Sequence, residues 1–214
     1  MMVKAIIFDF DGVILNTSQF NLNLLRDIFR KKGISFSDKD YHTYFVGRPL
    51  KDSLQDMLAG TGRESEIEGI FAMKKQYDQY FTEETRAYPD ALEFLRKCQG
   101  RFRMMVATGS RPIHLEMAFR KYGLEGVFET TLTSDDSTRG KPDPEIYALS
   151  LRKLHLSPKD AVVVEDAPAG ILSAKGAGMR CIAVTHTYPA IKLKEADLIV
   201  NKLTDSQVEP FLLG

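Results

Sequence analysis

Val3-Lys4-Ala5-Ile6-Ile7-Phe8-Asp9-Phe10-Asp11-Gly12-Val13 is the stretch on which the rest of the chain turns. Residues 3 to 8 are mostly apolar and rich in isoleucine and valine, the pattern of a strand buried on both faces. Two carboxylates then follow two residues apart, with a glycine directly after. In extended backbone, residues i and i+2 point the same way, so Asp9 and Asp11 aim at one small volume. Two acids that close repel unless a cation or a shared proton compensates. The pair therefore suits a hard, oxygen-seeking ion such as Mg²⁺. Asp and Gly also end strands and begin turns for purely local reasons, so the remainder of the chain has to decide between the two.

Beyond residue 88 apolar runs alternate with helical patterns. Strands are expected over 103–108, 129–133, 161–164, 180–185 and 197–200. Helices are expected over 91–98, 112–122, 144–154 and 169–177, with Pro112 as a first helical residue and Gly123 as a stop. Strands spaced by helices imply a parallel sheet covered on both faces, a Rossmann-like α/β core. Residues 16–87 read differently. Helical spacing runs over 19–32, 52–58 and 64–81 with no convincing strand, so an all-α domain is expected there, inserted into a core of 1–15 and 88–214. The aromatic residues Phe36, Tyr41, Tyr44 and Phe45 are expected to form a small core in that block, and Tyr77, Tyr80 and Phe81 to serve its packing.

In sheets of this kind ligands bind beyond the carboxyl ends of the strands, and three further polar clusters fall there. Thr108-Gly109-Ser110 offers a hydroxyl and open backbone N–H groups before a helix, a fit for phosphate oxygens and equally for an ordinary capped turn. Arg139-Gly140-Lys141-Pro142-Asp143-Pro144 holds a lysine on a loop stiffened by prolines. Glu165-Asp166 ends the apolar run Val162-Val163-Val164, where two adjacent acids are costly without a nearby cation.

Composition narrows the class. The 214 residues are 43% hydrophobic and 27% charged, and 29 basic residues balance 29 acidic ones. With zero formal net charge and no basic run, neither nucleic acid nor an anionic membrane is an expected partner. No signal-peptide pattern and no membrane-spanning apolar run stand out, so a cytoplasmic protein is expected, working as a monomer or weak homo-oligomer. Cys98 and Cys181 lack metal-ligand spacing and are expected as buried thiols. His42, His114, His155 and His186 are expected to be surface or structural residues.

Taken together, Phe8-Asp9-Phe10-Asp11-Gly12-Val13, Thr108-Gly109-Ser110, Gly140-Lys141-Pro142-Asp143-Pro144 and Val164-Glu165-Asp166 with Ala169-Gly170 resemble the haloacid dehalogenase-like hydrolases. The resemblance covers nearly the whole chain in order and spacing. The helical block is similar to the small cap of the phosphoglycolate phosphatase and β-phosphoglucomutase branch. The resemblance implies phosphoryl transfer through an aspartyl-phosphate, with Asp9 as nucleophile and Asp11 as general acid and base. It implies Mg²⁺ held by Asp9, the Asp11 backbone carbonyl and Asp166, with Glu165 bonding a metal-bound water. It further implies that Thr108 and Gly109 bind the phosphoryl group, with Ser110 beside them, and that Lys141 neutralises charge.

An aspartate at position 11 is unlike the tyrosine of the dehalogenases and the alanine of phosphonoacetaldehyde hydrolases. It fits phosphatases and mutases of small phosphorylated metabolites. Against the mutase pattern, the stretch Asn16-Thr17 to Asn21 lacks the cap histidine, and Asn16 departs from the aspartate usual in both branches. Gly47-Arg48-Pro49-Leu50 displaces the cap arginine, although Arg48 still suits a substrate carboxylate or second phosphate, and equally a surface position in a turn. A phosphatase is therefore expected first and a β-phosphoglucomutase-like enzyme second. A non-catalytic phosphate-sensing module is the alternative of another class, disfavoured because none of Asp9, Asp11, Lys141 or Asp166 is missing.

Overall fold

The computed structural model describes residues 3–46 and 50–214. The chain folds as two compact units, one built from Met1–Asn16 and Ala87–Gly214, the other from Thr17–Arg86.

The first unit is a parallel sheet of six strands: β1 (Ala5–Phe8), β2 (Arg103–Ala107), β3 (Thr130–Leu132), β4 (Ala161–Glu165), β5 (Arg180–Val184) and β6 (Leu198–Val200), in the order β3-β2-β1-β4-β5-β6. The most apolar segments take the middle of the sheet, as a sheet covered on both faces requires. Ala5 and Ile7 point into a core with Met105, Val163, Cys181 and the helical residues Tyr147, Leu151, Ile171 and Ala174. On the opposite face Phe8 meets Phe94 and Phe128 edge to face, at 6.0 and 6.1 Å. Both cysteines are free and buried.

Register carries the function. β1 pairs with β2 and β4 so that Phe8 stands opposite both Val106 and Val164. The residues just beyond these pairs therefore lie at one level: Asp9, whose N–H donates to the Val164 carbonyl at 2.9 Å, then Ala107-Thr108 and Glu165-Asp166. In-register parallel pairing thus brings three distant polar clusters to the same edge of the sheet.

Helices Pro89–Cys98, Pro112–Tyr122, Glu145–Leu154 and Pro168–Gly176 connect the strands. Pro112 is the first residue of its helix, and Gly123 ends it at φ +65°, where a glycine avoids the steric cost of a left-handed residue. Pro144 stands just outside its helix as the N-cap. A short C-terminal helix, Val208–Leu213, was not expected. It is six residues long, too short to show a periodic stripe.

In the unit Thr17–Arg86, the helix Ser18–Lys31 buries Phe20, Leu24, Leu25, Ile28 and Phe29, the stripe its spacing predicts. Phe36 lies 4.7 Å from Phe29 and 5.7 Å from Phe45, giving the expected small aromatic core. The single helix expected over 64–81 is broken instead. It runs as a 3₁₀ turn Glu64–Glu66, an α-helix Ile67–Lys74, a 3₁₀ stretch Lys75–Tyr80 and a last α-turn Phe81–Glu84. From Lys75 to Tyr80 only Tyr77 is buried, so no continuous apolar stripe enforces α-helical spacing there. Tyr77 instead bonds Asp27 and takes a hydrogen bond from Lys31 at 2.9 Å. Among the described residues no helix is long and apolar enough to cross a membrane.

Candidate active site

Asp9 emerges from the end of β1 into a buried setting with Glu165 and Asp166. One carboxylate oxygen from each lies within 4.8 Å of the others. The three residues are 8%, 1% and 4% exposed. Lys141 reaches in from its loop and is held at three points: Asp9 Oδ1 at 2.8 Å, Glu165 Oε1 at 2.7 Å and the Ala107 carbonyl at 3.4 Å. An ammonium has three protons to donate, so these acceptors use its full capacity. Asp9, Lys141 and Glu165, spread over more than 150 positions of sequence, form one ion-paired line across the sheet end.

The electrostatics follow from burial. Desolvation raises the Asp9 carboxyl to about 7, Glu165 and Asp11 add to the rise, and Lys141 opposes it. Asp166 is likewise raised well above the ordinary carboxylate range, by burial first and then by Glu165 and Asp9, against a hydrogen bond from Thr187. Burial works against the charge on Lys141, yet Asp9 and Glu165 outweigh it and hold its pKa above the ordinary lysine value. One ammonium among these acids leaves a deficit of positive charge. A donor set of hard carboxylate oxygens with that deficit is what a divalent cation such as Mg²⁺ requires. The residues fit the ion.

Asp11 lies two residues on, but its side chain does not join this set. The chain turns at Phe10, whose carbonyl accepts from the N–H groups of Ile14 and Leu15. Asp11 Oδ2 instead accepts from Ser110 Oγ at 2.5 Å and from Thr108 Oγ1 at 3.3 Å. The expectation that both carboxylates aim into one small volume is therefore modified: they face different partners. The contribution to a metal that the resemblance implies for Asp11 is its backbone carbonyl, not this side chain. Ser110, expected beside a phosphoryl group, has its hydroxyl on Asp11 and its N–H on Thr108 Oγ1 at 3.0 Å. Gly109 lies between them with open space where a side chain would stand. Arg48 falls outside the described residues.

Two glycines make room for the acids. A methyl group on Gly12, at φ +77°, would lie 1.8 Å from Asp166 Oδ2, and one on Gly170 would lie 1.9 Å from the Glu165 carboxyl carbon. Two further side chains, Tyr147 and Thr187, shape the site without having been singled out in the sequence, and His186 lies beside Thr187. Tyr147 is fully buried and donates to Glu165 Oε1 at 2.6 Å. Its sequence signal is only that of one more core aromatic on a helix. Thr187 follows β5 and bonds Asp166; the strand-end rule that located the other clusters points to it too. His186 donates from Nδ1 to the Gly12 carbonyl at 3.0 Å and stacks on Tyr88 at 3.7 Å. It is structural, as expected.

The family model for haloacid dehalogenase-like hydrolase matches residues 6–184. Validoxylamine A 7'-phosphate phosphatase of Streptomyces hygroscopicus subsp. limoneus is 34% identical over 214 residues, covering 95% of this chain and 96% of that protein. Hexitol phosphatase A of Escherichia coli (strain K12) is 30% identical over 207 residues, covering 95% and 93%. In fold, the crystal structure of β-phosphoglucomutase from Clostridium difficile superposes with a TM-score of 0.83 at 22% identity, covering 99% of this chain and 97% of that one. The strand-end acids, the lysine between them and a match from the first strand to the fifth place this chain in the haloacid dehalogenase-like hydrolases, among their phosphatases and phosphomutases.

Proposed function

We propose that the protein is a Mg²⁺-dependent phosphatase of small phosphorylated metabolites that works through an aspartyl-phosphate on Asp9. The observation that carries this reading is the Asp9–Lys141–Glu165 line beside Asp166, at the end of the central strand.

Asp9, Asp166 and the Asp11 backbone carbonyl would hold the ion, which when bound supplies positive charge to the Asp9 carboxylate and the phosphoryl oxygens. The reaction itself belongs to the side chains. An Asp9 oxygen attacks phosphorus in line, and the bond from phosphorus to the ester oxygen breaks. Asp11, in its protonated form, gives its proton to the departing alkoxide. Once the alcohol has left, the Asp11 carboxylate takes a proton from water, whose oxygen attacks the aspartyl-phosphate and releases inorganic phosphate with Asp9 restored. Ser110 holds the Asp11 carboxyl in place for both transfers, and Thr108 leaves its longer contact with Asp11 when substrate binds. Thr108 and the Gly109 N–H receive phosphoryl oxygens, and Lys141 balances the charge that gathers on them.

The helical unit Thr17–Arg86 is proposed as the cap that selects the substrate and excludes bulk water. Three of the similar relatives are named for validoxylamine A 7'-phosphate, for hexitols and for phosphorylated carbohydrates. A phosphate monoester of a polyhydroxylated ring or chain is accordingly the class to try first.

The test is phosphate release from a panel of sugar, sugar-alcohol, cyclitol, glycolytic and nucleotide monophosphates, in Mg²⁺ and in EDTA. Metal-dependent release from one or a few polyol phosphates is expected. Equal release in EDTA overturns the metal requirement. A folded protein that releases none, and instead isomerises a hexose phosphate when a bisphosphate is added, overturns the phosphatase.

A further inference from the structure

Glu165 stands at a fork. One of its oxygens belongs to the group of three carboxylates that gather within 4.8 Å of one another, which would make it a metal ligand alongside Asp9 and Asp166. Its actual hydrogen bonds draw it elsewhere. Oε1 accepts from Lys141 at 2.7 Å and from Tyr147 at 2.6 Å, and Oε2 accepts from the Asp166 N–H at 3.1 Å. Behind it, the backbone at Gly170 approaches so closely that a single methyl would collide with the carboxyl group. Both oxygens are thus engaged, and the carboxyl cannot retreat.

We propose that Tyr147 is a positioning residue that holds Glu165 on Lys141 and away from the metal ion, and that it thereby sets the preference of the site for Mg²⁺ over larger divalent cations. The inference rests on the Mg²⁺ reading given above.

The coordination chemistry supplies the link. Mg²⁺ keeps near-octahedral geometry and several waters, and one or two carboxylates suffice to bind it. Ca²⁺ accepts six to eight oxygens in looser geometry and gains from each added carboxylate. A site with Asp9 and Asp166 alone suits the smaller ion, and one that Glu165 has joined suits the larger. Among the partners of Glu165, the Tyr147 hydroxyl can be removed without disturbing charge. Lys141 is shared with Asp9, and the Asp166 N–H is backbone. The Tyr147 ring has its own place, buried in the core and 5.0 Å from the Lys141 ammonium. Phenylalanine preserves that ring and deletes only the bond to Glu165.

The experiment is calorimetric titration of metal-stripped, substrate-free protein with Mg²⁺ and, separately, Ca²⁺, for the wild type, Tyr147→Phe and Glu165→Gln. The wild type is expected to favour Mg²⁺. Tyr147→Phe is expected to shift the Mg²⁺-to-Ca²⁺ affinity ratio toward Ca²⁺ by about tenfold or more, the effect of one added carboxylate ligand. In Glu165→Gln, which lacks the carboxylate to contribute, the ratio is expected to stay near the wild-type value. A folded Tyr147→Phe protein with an unchanged ratio overturns the inference. So does a Glu165→Gln protein that loses Mg²⁺ binding altogether, because Glu165 would then be a direct ligand in the wild type, and this arm holds even where Tyr147→Phe fails to fold. A wild type that binds neither ion overturns the Mg²⁺ reading itself, which is a different result from either of these.

Discussion

The hydroxyl of Ser110 lies 2.5 Å from the Asp11 carboxylate, across 99 residues of sequence. The contact fixes the proposed acid/base group from the neighbouring strand end, while the turn at Phe10 supplies its backbone. Ser110→Ala is expected to lower kcat by about tenfold with little change in KM, since a misplaced general acid costs transition-state stabilisation more than ground-state binding. In an Asp11→Asn background the same substitution is expected to do almost nothing further. A double-mutant cycle on kcat tests this, and two effects that simply multiply would separate Ser110 from Asp11.

Lys141 is paired with two buried acids. Replacing it by methionine keeps the aliphatic stem and leaves Asp9 and Glu165 without their counter-charge. Breaking a buried pair in this way costs about 3–5 kcal/mol, so the urea midpoint measured in EDTA should fall well below that of the wild type. Added Mg²⁺ should restore part of that stability by supplying charge beside Asp9. It should not restore turnover, because the ammonium proposed to balance charge on the phosphoryl oxygens is still absent. Full recovery of rate in Mg²⁺ would remove Lys141 from the reaction.

The line from Asp9 to Glu165 was legible in the sequence because strand ends are marked sharply. Each apolar run stops where its polar cluster begins, and parallel pairing leaves those stops at one level of the sheet. What was hidden is direction. Spacing placed Asp9 and Asp11 on one side of an extended chain, but the extended backbone ends at Phe8 and the turn that follows sends the two carboxylates to different partners. Tyr147 was hidden for another reason: a tyrosine on the buried face of a helix looks like packing until its hydroxyl is seen to end on Glu165. In the helical unit, Tyr77 and Phe81 are buried as their spacing over 64–81 predicts, but Tyr80 is exposed, and the helix lacks the expected continuity because the bonds of Tyr77 to Asp27 and Lys31 override weak local periodicity.

Gly12 has two constraints at once. Its φ of +77° is one that residues with a Cβ adopt with strain, and a Cβ there would overlap the Asp166 carboxylate. Gly12→Ala must therefore displace Asp166 or shift the loop that carries Asp11. The expected outcome is a folded protein with modestly reduced stability, on the order of 1–2 kcal/mol from the left-handed backbone alone. Its melting temperature should no longer rise on adding Mg²⁺. Retention of the wild-type Mg²⁺ shift would mean that Asp166 is not needed to hold the ion.

Asp9 gives the sharpest dependence on pH. Burial raises its carboxyl from 3.8 to about 7 in the metal-free fold, so between these values the native state holds a proton that the unfolded chain has lost. The unfolded state then binds fewer protons, and unfolding free energy falls as pH rises through that window. The stability contributed by the protonated form is complete below about 4 and gone above about 7. Other carboxylates have their own slopes, so the quantity to measure is the difference between wild type and Asp9→Asn in EDTA. Asparagine is nearly isosteric and carries no ionisable proton. The variant should match the wild type near pH 4, become the more stable of the two toward pH 8, and turn over no substrate at any pH. Mg²⁺ acts in the opposite sense, because it binds the ionised carboxylate. Its affinity for the wild type should weaken by at least about tenfold for each pH unit below about 7, as protons compete for Asp9 and for Asp166, whose carboxyl is raised as well. Flat Mg²⁺ affinity from pH 5 to pH 8 would show that the ion contacts neither Asp9 nor Asp166, and substantial turnover by Asp9→Asn would deny Asp9 the role of nucleophile.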